Sequence, residues 1–208
     1  MIHDQEEEWE AVVKLNNAML ELRRRGCGPV HINLTTSYNV DFSVKELPKV
    51  RSIKRLYLRD EFPSLTGKRV GIFVGSHVAW DEKLTRAVET FCEKYNAVVL
   101  CDNGSNYKGK YGVWHSLIVY QKQYKPACGD MDVIIHIGDV SASYVYHPSE
   151  VWRVNPDGEL RDTFKKLRYV YEMDELDFFE KCNEMAGSAK KNTSRYEEWN
   201  REDEELRL

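Results

Sequence analysis

Lys68-Arg69-Val70-Gly71-Ile72-Phe73-Val74-Gly75 is a short apolar run with a charged start and a glycine at its end. It reads as a buried strand. Beyond Ser76-His77, a helical pattern runs through Leu84, Ala87, Val88, Phe91 and Cys92, so strand and helix make a first β-α unit. Ala97-Val98-Val99-Leu100-Cys101 is a second buried strand, ending in the turn residues Asp102-Asn103-Gly104-Ser105-Asn106. After a predicted helix around Val113 to Tyr124, Asp132-Val133-Ile134-Ile135-His136-Ile137-Gly138 gives a third. Near-continuous apolar strands separated by helices imply a parallel sheet covered on both faces. The expected class is therefore α/β, a Rossmann-like three-layer fold with helices on both faces.

Working outward, Val151-Trp152-Arg153-Val154 and the turn Asn155-Pro156-Asp157-Gly158 predict another strand, and Leu167 to Tyr171 a further one. Asp174 caps a helix through Leu176, Phe178, Phe179 and Cys182. From Gly187 to Leu208 the chain is mostly charged, with Tyr196, Trp199 and Leu206 as isolated apolar positions. Two large aromatics in a polar tail predict docking onto something absent. Upstream, Thr35 to Thr66 carries Pro48, Pro63, many charges and scattered apolar residues, which suits an extended linker, with Ile53, Leu56 and Leu58 placed to pair with the sheet edge.

At the start of the chain, Trp9, Val12, Val13, Leu15, Met19, Leu20 and Leu22 recur at helical steps between Glu6 and Arg25. Glu6 to Glu8 open this amphipathic helix and Arg23 to Arg25 close it, matching the helix dipole. Gly26 and Gly28 end it, Pro29 forbids continuation, and Val30, Ile32 and Leu34 predict a strand. Two readings of that strand stay open: the last strand of a domain cut away upstream, or an edge strand of the downstream sheet.

With 208 residues the chain has room for one α/β domain of ~150 residues and flanking segments. Thirty basic and 34 acidic residues leave a net charge of -4 with neither sign concentrated, which argues against nucleic acid and anionic membranes as partners. No apolar run approaches the ~20 residues needed to span a bilayer. The acidic start, Asp4 to Glu8, is unlike a secretory signal, so a cytoplasmic location is expected. Five cysteines without a C-x-x-C pair argue against a disulfide framework or a zinc site, and Cys92 and Cys101 read as small core residues.

In a parallel sheet, ligands bind beyond the carboxyl ends of the strands. Three loops gather there: Gly75-Ser76-His77, Asn103 to Gly109, and Gly138-Asp139-Val140-Ser141-Ala142-Ser143. Their hydroxyls and amides make Ser76, His77, Asn103, Ser105, Asn106 and Ser141 the candidate substrate-binding residues. The same residue types are the ordinary material of helix caps and tight turns. No G-x-G-x-x-G, G-x-x-x-x-G-K-[ST], H-E-x-x-H or G-x-S-x-G occurs, so neither a dinucleotide, a P-loop nucleotide, a zincin nor a serine hydrolase is supported. His77 has the chemistry of a general base, but no nucleophile or metal-ligand partner stands at a telling spacing. No catalytic residue and no metal ligand is therefore assigned, and His31 and His136, alternating within strand patterns, are expected inside the fold.

The order of helix, Gly26-Cys27-Gly28-Pro29-Val30-His31-Ile32-Asn33-Leu34, long linker, parallel sheet, Glu150-Val151-Trp152-Arg153-Val154-Asn155-Pro156-Asp157-Gly158-Glu159-Leu160-Arg161-Asp162 and capped helix resembles the middle portion of thiamine-diphosphate-dependent enzymes. Within that superfamily it looks most like the synthases of menaquinone biosynthesis that make 2-succinyl-5-enolpyruvyl-6-hydroxy-3-cyclohexene-1-carboxylate. The resemblance implies that residues 1–35 end an upstream pyrimidine-binding domain, 36–66 form a linker, 67–186 a central α/β domain, and 187–208 a connector to a downstream diphosphate-binding domain. It also implies that the activating glutamate lies upstream and the Gly-Asp-Gly to Asn-Asn motif downstream. Thiamine diphosphate and magnesium then belong to the parent enzyme, with none held by this chain, which is inactive alone. Its partners are the pyrimidine and diphosphate domains of the same chain, in a homo-oligomer. Gly138 to Val145 contains no Lys or Arg where the menaquinone synthases place basic residues toward the acceptor's carboxylates, a departure that points to a diverged relative. The competing reading is a stand-alone small-molecule or nucleotide-binding module with its pocket at Asn103 to Gly109.

Overall fold

A computed structural model of the chain describes residues 4–35, 38, 40, 43, 45, 46, 49–114, 129–141 and 144–206. They fall into two units, Met1–Lys54 and Arg55–Leu208.

In the first unit, helix α1 (Gln5–Glu21) starts where Asp4 accepts a hydrogen bond from the Glu7 amide at 2.9 Å, with Glu6, Glu7 and Glu8 in the first turn. It ends earlier than its charge pattern predicts. Arg23 to Arg25 lie past Leu22, its C-cap, and no basic residue stands in the last turn. Tight bonds from the amides of Arg23 to Leu20 and of Arg24 to Glu21 close the helix instead, and Arg25, Gly26 and Cys27 all take positive φ. The strand predicted at Val30 to Leu34 does not form, and His31 and Leu34 are exposed rather than packed inside. Alternating apolar residues define two faces but do not supply the neighbouring backbone that a strand must pair with. Asn16 ties the unit together, donating to the carbonyls of Val12 and Arg51 and accepting from the Ile53 amide at 2.7 Å.

The second unit is built on a seven-stranded sheet: β1 (Lys54–Leu56), β2 (Val70–Val74), β3 (Val98–Cys101), β4 (Gly112–Trp114), β5 (Val133–Ile137), β6 (Glu150–Asn155) and β7 (Leu167–Glu172). Their order across the sheet is β1-β7-β6-β5-β2-β3-β4, and every pairing from β4 through β7 is parallel. The expected Rossmann-like α/β fold is present. The chain winds outward from β2 through β3 to β4, returns to lay β5 beside β2, and winds the other way through β6 and β7. β2 and β5 therefore flank the topological switch point. Val113 belongs to β4 rather than to a helix, and residues 115–128, where the rest of that helix was expected, lie outside the described residues. The residues expected to extend as a linker contribute β1 at the sheet edge and three buried side chains, Ile53, Phe62 and Leu65.

Strand alternation sorts the core. Val70, Ile72 and Val74 of β2, with Ile135, Ile137, Trp152 and Val154, face Ala87, Val88, Phe91 and Cys92 of α2 (Glu82–Tyr95) and Phe178, Phe179 and Cys182 of α3 (Glu175–Met185). Burial pushes the Cys101 and Cys182 thiols up to about 12, as expected of core cysteines rather than reactive ones. α2 and α3 are also joined by hydrogen bonds from Lys94 to the Asn183 carbonyl and from Tyr95 to the Cys182 carbonyl, both 2.7 Å.

Helix α4 (Ser194–Leu206) corrects the expectation of a tail docked onto something absent. Trp199 is fully buried within this unit, Asp203 is 2% exposed, and Tyr196 meets Tyr111 edge-on at 5.2 Å. Spacings of three and four place Tyr196, Trp199 and Asp203 on one helix face, and that face covers the sheet beside β3 and β4.

Candidate functional site

The carboxyl ends of β2, β3 and β5 bring the three predicted loops together, and their backbones fill the space between them. Gly75 donates to the Ile137 carbonyl at 3.0 Å, Ser76 to Val140 at 2.9 Å, Asp139 to Ser76 at 2.7 Å and His77 to Gly104 at 3.0 Å. Two glycines permit this approach. A Cβ on Gly75 would stand 2.2 Å from the Asp139 carbonyl oxygen, and Gly138 at φ +69 would place one 2.8 Å from that of Ser76.

Asp102, at the end of β3, organises the polar side chains. One carboxylate oxygen accepts from the Gly104 amide at 2.8 Å and the other from the Ser141 hydroxyl at 2.5 Å, while its carbonyl accepts from the Ser105 hydroxyl at 2.9 Å. Asn106, in the left-handed region at φ 51, donates its side-chain amide to the His77 carbonyl at 2.5 Å. The Trp80 indole donates to the Ser105 carbonyl at 2.9 Å and stacks obliquely on the His77 ring with centroids 4.7 Å apart. Ser76 is exposed and joins the network through its backbone, and Asn103 is exposed outside it. Of the six predicted residues, Ser105, Asn106, Ser141 and His77 thus have side chains engaged by the fold. Ala142 and Ser143 lie outside the described residues.

His77 is held from both sides. Its Nδ1 lies 2.8 Å from the Val78 carbonyl and its Nε2 2.8 Å from a carboxylate oxygen of Glu175, the first residue of α3. Both neighbours are acceptors, so the doubly protonated imidazolium satisfies both bonds and neutral imidazole satisfies one. Burial pulls the ring's pKa down, but the hydrogen bond and charge of Glu175, the Val78 carbonyl and the charge of Asp139 outweigh it, leaving the value raised. The other Glu175 oxygen accepts from the Gly138 amide at 3.3 Å, so one carboxylate spans the loops after β2 and β5.

Glu175 and Asp102 were not among the predicted site residues. Asp102 was visible only as part of a turn-forming run. Glu175 had one signal, its place in the acidic first turn of a helix that follows a strand of the same sheet.

Beside this network, on the face of the sheet turned away from α2, a row of paired residues runs Leu100, Phe73, His136, Arg153 from β3 to β6. His136 and Arg153 are each 1% exposed, and Phe73, Tyr144 and Phe164 surround the imidazole with ring centroids 5.4 to 6.0 Å away. Burial and the Arg153 charge hold His136 well below its ordinary pKa, so it is neutral.

Curated relatives of this chain share one name. It is 29% identical over 206 aligned residues, covering 86% of its length, to the 2-succinyl-5-enolpyruvyl-6-hydroxy-3-cyclohexene-1-carboxylate synthase of Bacteroides fragilis. To the synthase of that name from Bacteroides thetaiotaomicron it is 28% identical over 205 residues. A shorter match to the Phocaeicola vulgatus synthase reaches 44% identity over 55 residues, 26% of the chain. The chain is a relative of these synthases. It spans 36% of the length of the two Bacteroides proteins. No family model matches it.

Among the described residues no group of three or more His, Cys, Asp and Glu is placed to hold a metal ion, and no helix is long and apolar enough to cross a membrane. No catalytic step is assigned through magnesium or thiamine diphosphate.

Proposed function

We propose that this chain is the central α/β domain of a larger thiamine-diphosphate-dependent synthase that decarboxylates a 2-oxo acid and passes the resulting carbanion to an acceptor. In that reading the cofactor, when bound to the parent enzyme with magnesium, supplies the carbanion chemistry. This chain supplies a rigid frame between a pyrimidine-binding and a diphosphate-binding domain, in a cytoplasmic homo-oligomer, and does not turn over alone.

The observation that carries the reading is the similarity to the Bacteroides synthases across 86% of the chain and 36% of their length. The switch-point loops support it. In a stand-alone binding module, polar groups around the crevice are left free for a ligand, whereas here Ser105, Asn106 and Ser141 are spent on Asp102 and His77. His77, Ser105, Asn106 and Ser141 then act by shaping the loops, and Ser76 and Asn103, with exposed side chains outside the network, are placed to touch an acceptor.

The test is the reading frame on both sides of this segment, paired with calorimetry of the 208-residue chain against thiamine diphosphate and magnesium. Flanking domains carrying a pyrimidine-side glutamate and a Gly-Asp-Gly to Asn-Asn motif, with no heat of binding from the chain alone, are expected. Stop codons on both sides, or cofactor binding by the chain itself, would overturn the proposal.

A further inference from the structure

Among the described residues, Arg153 is a buried cation in no ion pair. Its guanidinium has five N–H donors, yet its described hydrogen bonding is one long contact, 3.4 Å from Nη1 to the His136 carbonyl, and Nε has no partner. Three acids lie near enough to be felt electrostatically, Glu175, Asp139 and Asp157. Each is engaged elsewhere: Glu175 with His77 and Gly138, Asp139 with Arg161, and Asp157 with the Asn155 side chain. Beside it, neither ring nitrogen of His136 makes a hydrogen bond of good geometry to a described residue, although the Asp139 backbone acts on the ring, and this imidazole is as deeply buried as the arginine.

Leaving a charge and an imidazole unpaired in an interior walled by Phe73, Tyr144 and Phe164 is costly, and native interiors avoid it unless another group completes the set. The donors left over define that group. A guanidinium offers a planar fork that matches two oxygens of one anion, and neutral His136 adds one N–H donor. Both residues stand within two positions of the carboxyl ends of their strands, Ile137 and Asn155, the end of a doubly wound sheet at which ligands enter.

We propose that Arg153 and His136 form an oxyanion-binding site at the carboxyl end of β5 and β6, taking a carboxylate or phosphoryl group. It is separate from the Asp102 network, whose polar groups are already engaged. The proposal rests on this chain's own residues and not on the parent reaction, so it stands or falls independently of the assignment to a larger synthase.

The test is an NMR titration of the 208-residue chain with sodium acetate and, separately, sodium phosphate at constant ionic strength, following the Arg153 Nε–Hε and His136 ring resonances. At least one anion should shift both resonances saturably, with an apparent Kd of ~1 mM or below, and the His136 response should weaken at least ~10-fold in Arg153→Met. A response to acetate alone assigns a carboxylate ligand, and one to phosphate alone a phosphoryl ligand. Should Arg153→Met fail to fold, His136→Phe keeps the arginine, and the Arg153 resonance should then lose at least ~10-fold in affinity. Linear, non-saturating shifts with both anions, or a response unchanged in the variant that folds, would overturn the proposal.

Discussion

His77 shows how one side chain can lock two loops and a helix. Its imidazolium bonds the Val78 carbonyl and the Glu175 carboxylate, and with the ring 8% exposed that charge-assisted pair contributes about 1–2 kcal/mol. A histidine whose pKa is raised by folding stabilises fully below its unfolded value, near 6.5, and loses that contribution as pH climbs through the folded value. His77→Gln should therefore cost about 1–2 kcal/mol near pH 6, with the gap to the unmodified chain closing as the pH rises above the raised value. Urea denaturation across that range measures it, and a gap independent of pH would show that the ring is held neutral. At the opposite end of the strands, the side-chain hydrogen bond from Arg69 holds Asp132 down to about 2, so that pair persists through the whole of this window.

Helix α4 illustrates how an element with a polar average secures its place through very few residues. Eight of its thirteen residues are charged, yet Trp199 is fully buried and Tyr196 packs on Tyr111. Truncation to Trp199→Ala should cost about 3–5 kcal/mol, the usual range for emptying a large aromatic site, and should raise hydrogen exchange in β3 and β4, which the helix covers. An effect below about 1 kcal/mol would mean that the helix sits loosely on the sheet. α1 is the contrasting element. None of its residues is buried and Met19 is 60% exposed, so its apolar stripe is only partly covered, through half-buried Trp9, Val12, Val13 and Leu20.

For the molecule, the two-unit division predicts that the α/β body is self-sufficient. Its sheet, α2, α3 and α4 lie within Arg55–Leu208, apart from Lys54 at the start of β1. A chain of residues 55–208 should keep its far-ultraviolet circular dichroism and a single cooperative thermal transition within a few degrees of the 208-residue chain. Loss of cooperativity would show that residues 1–54 complete its core. The doubly wound order also explains the character of the switch point. With β2 and β5 side by side, their loops emerge together, and Gly75 and Gly138 let those loops bond to each other where such sheets commonly open a crevice.

The strands β2, β3, β5, β6 and β7, helices α2 and α3, and the gathering of three loops at one edge were legible in the amino-acid order. They rest on local chemistry: apolar runs, turn residues and caps act within a few positions. What was not legible required a partner remote in sequence. Val30 to Leu34 has a strand's residues but pairs with no strand among the described residues, while Trp199 looked stranded until β4 was placed beneath it. The residues that define the site belong to the same class. Glu175 meets His77 across 98 positions, and Arg153 lies beside His136 only because β6 pairs with β5 in that register. Strand order and register are set by the collective burial of both faces of the sheet, and no local stretch of sequence carries that information.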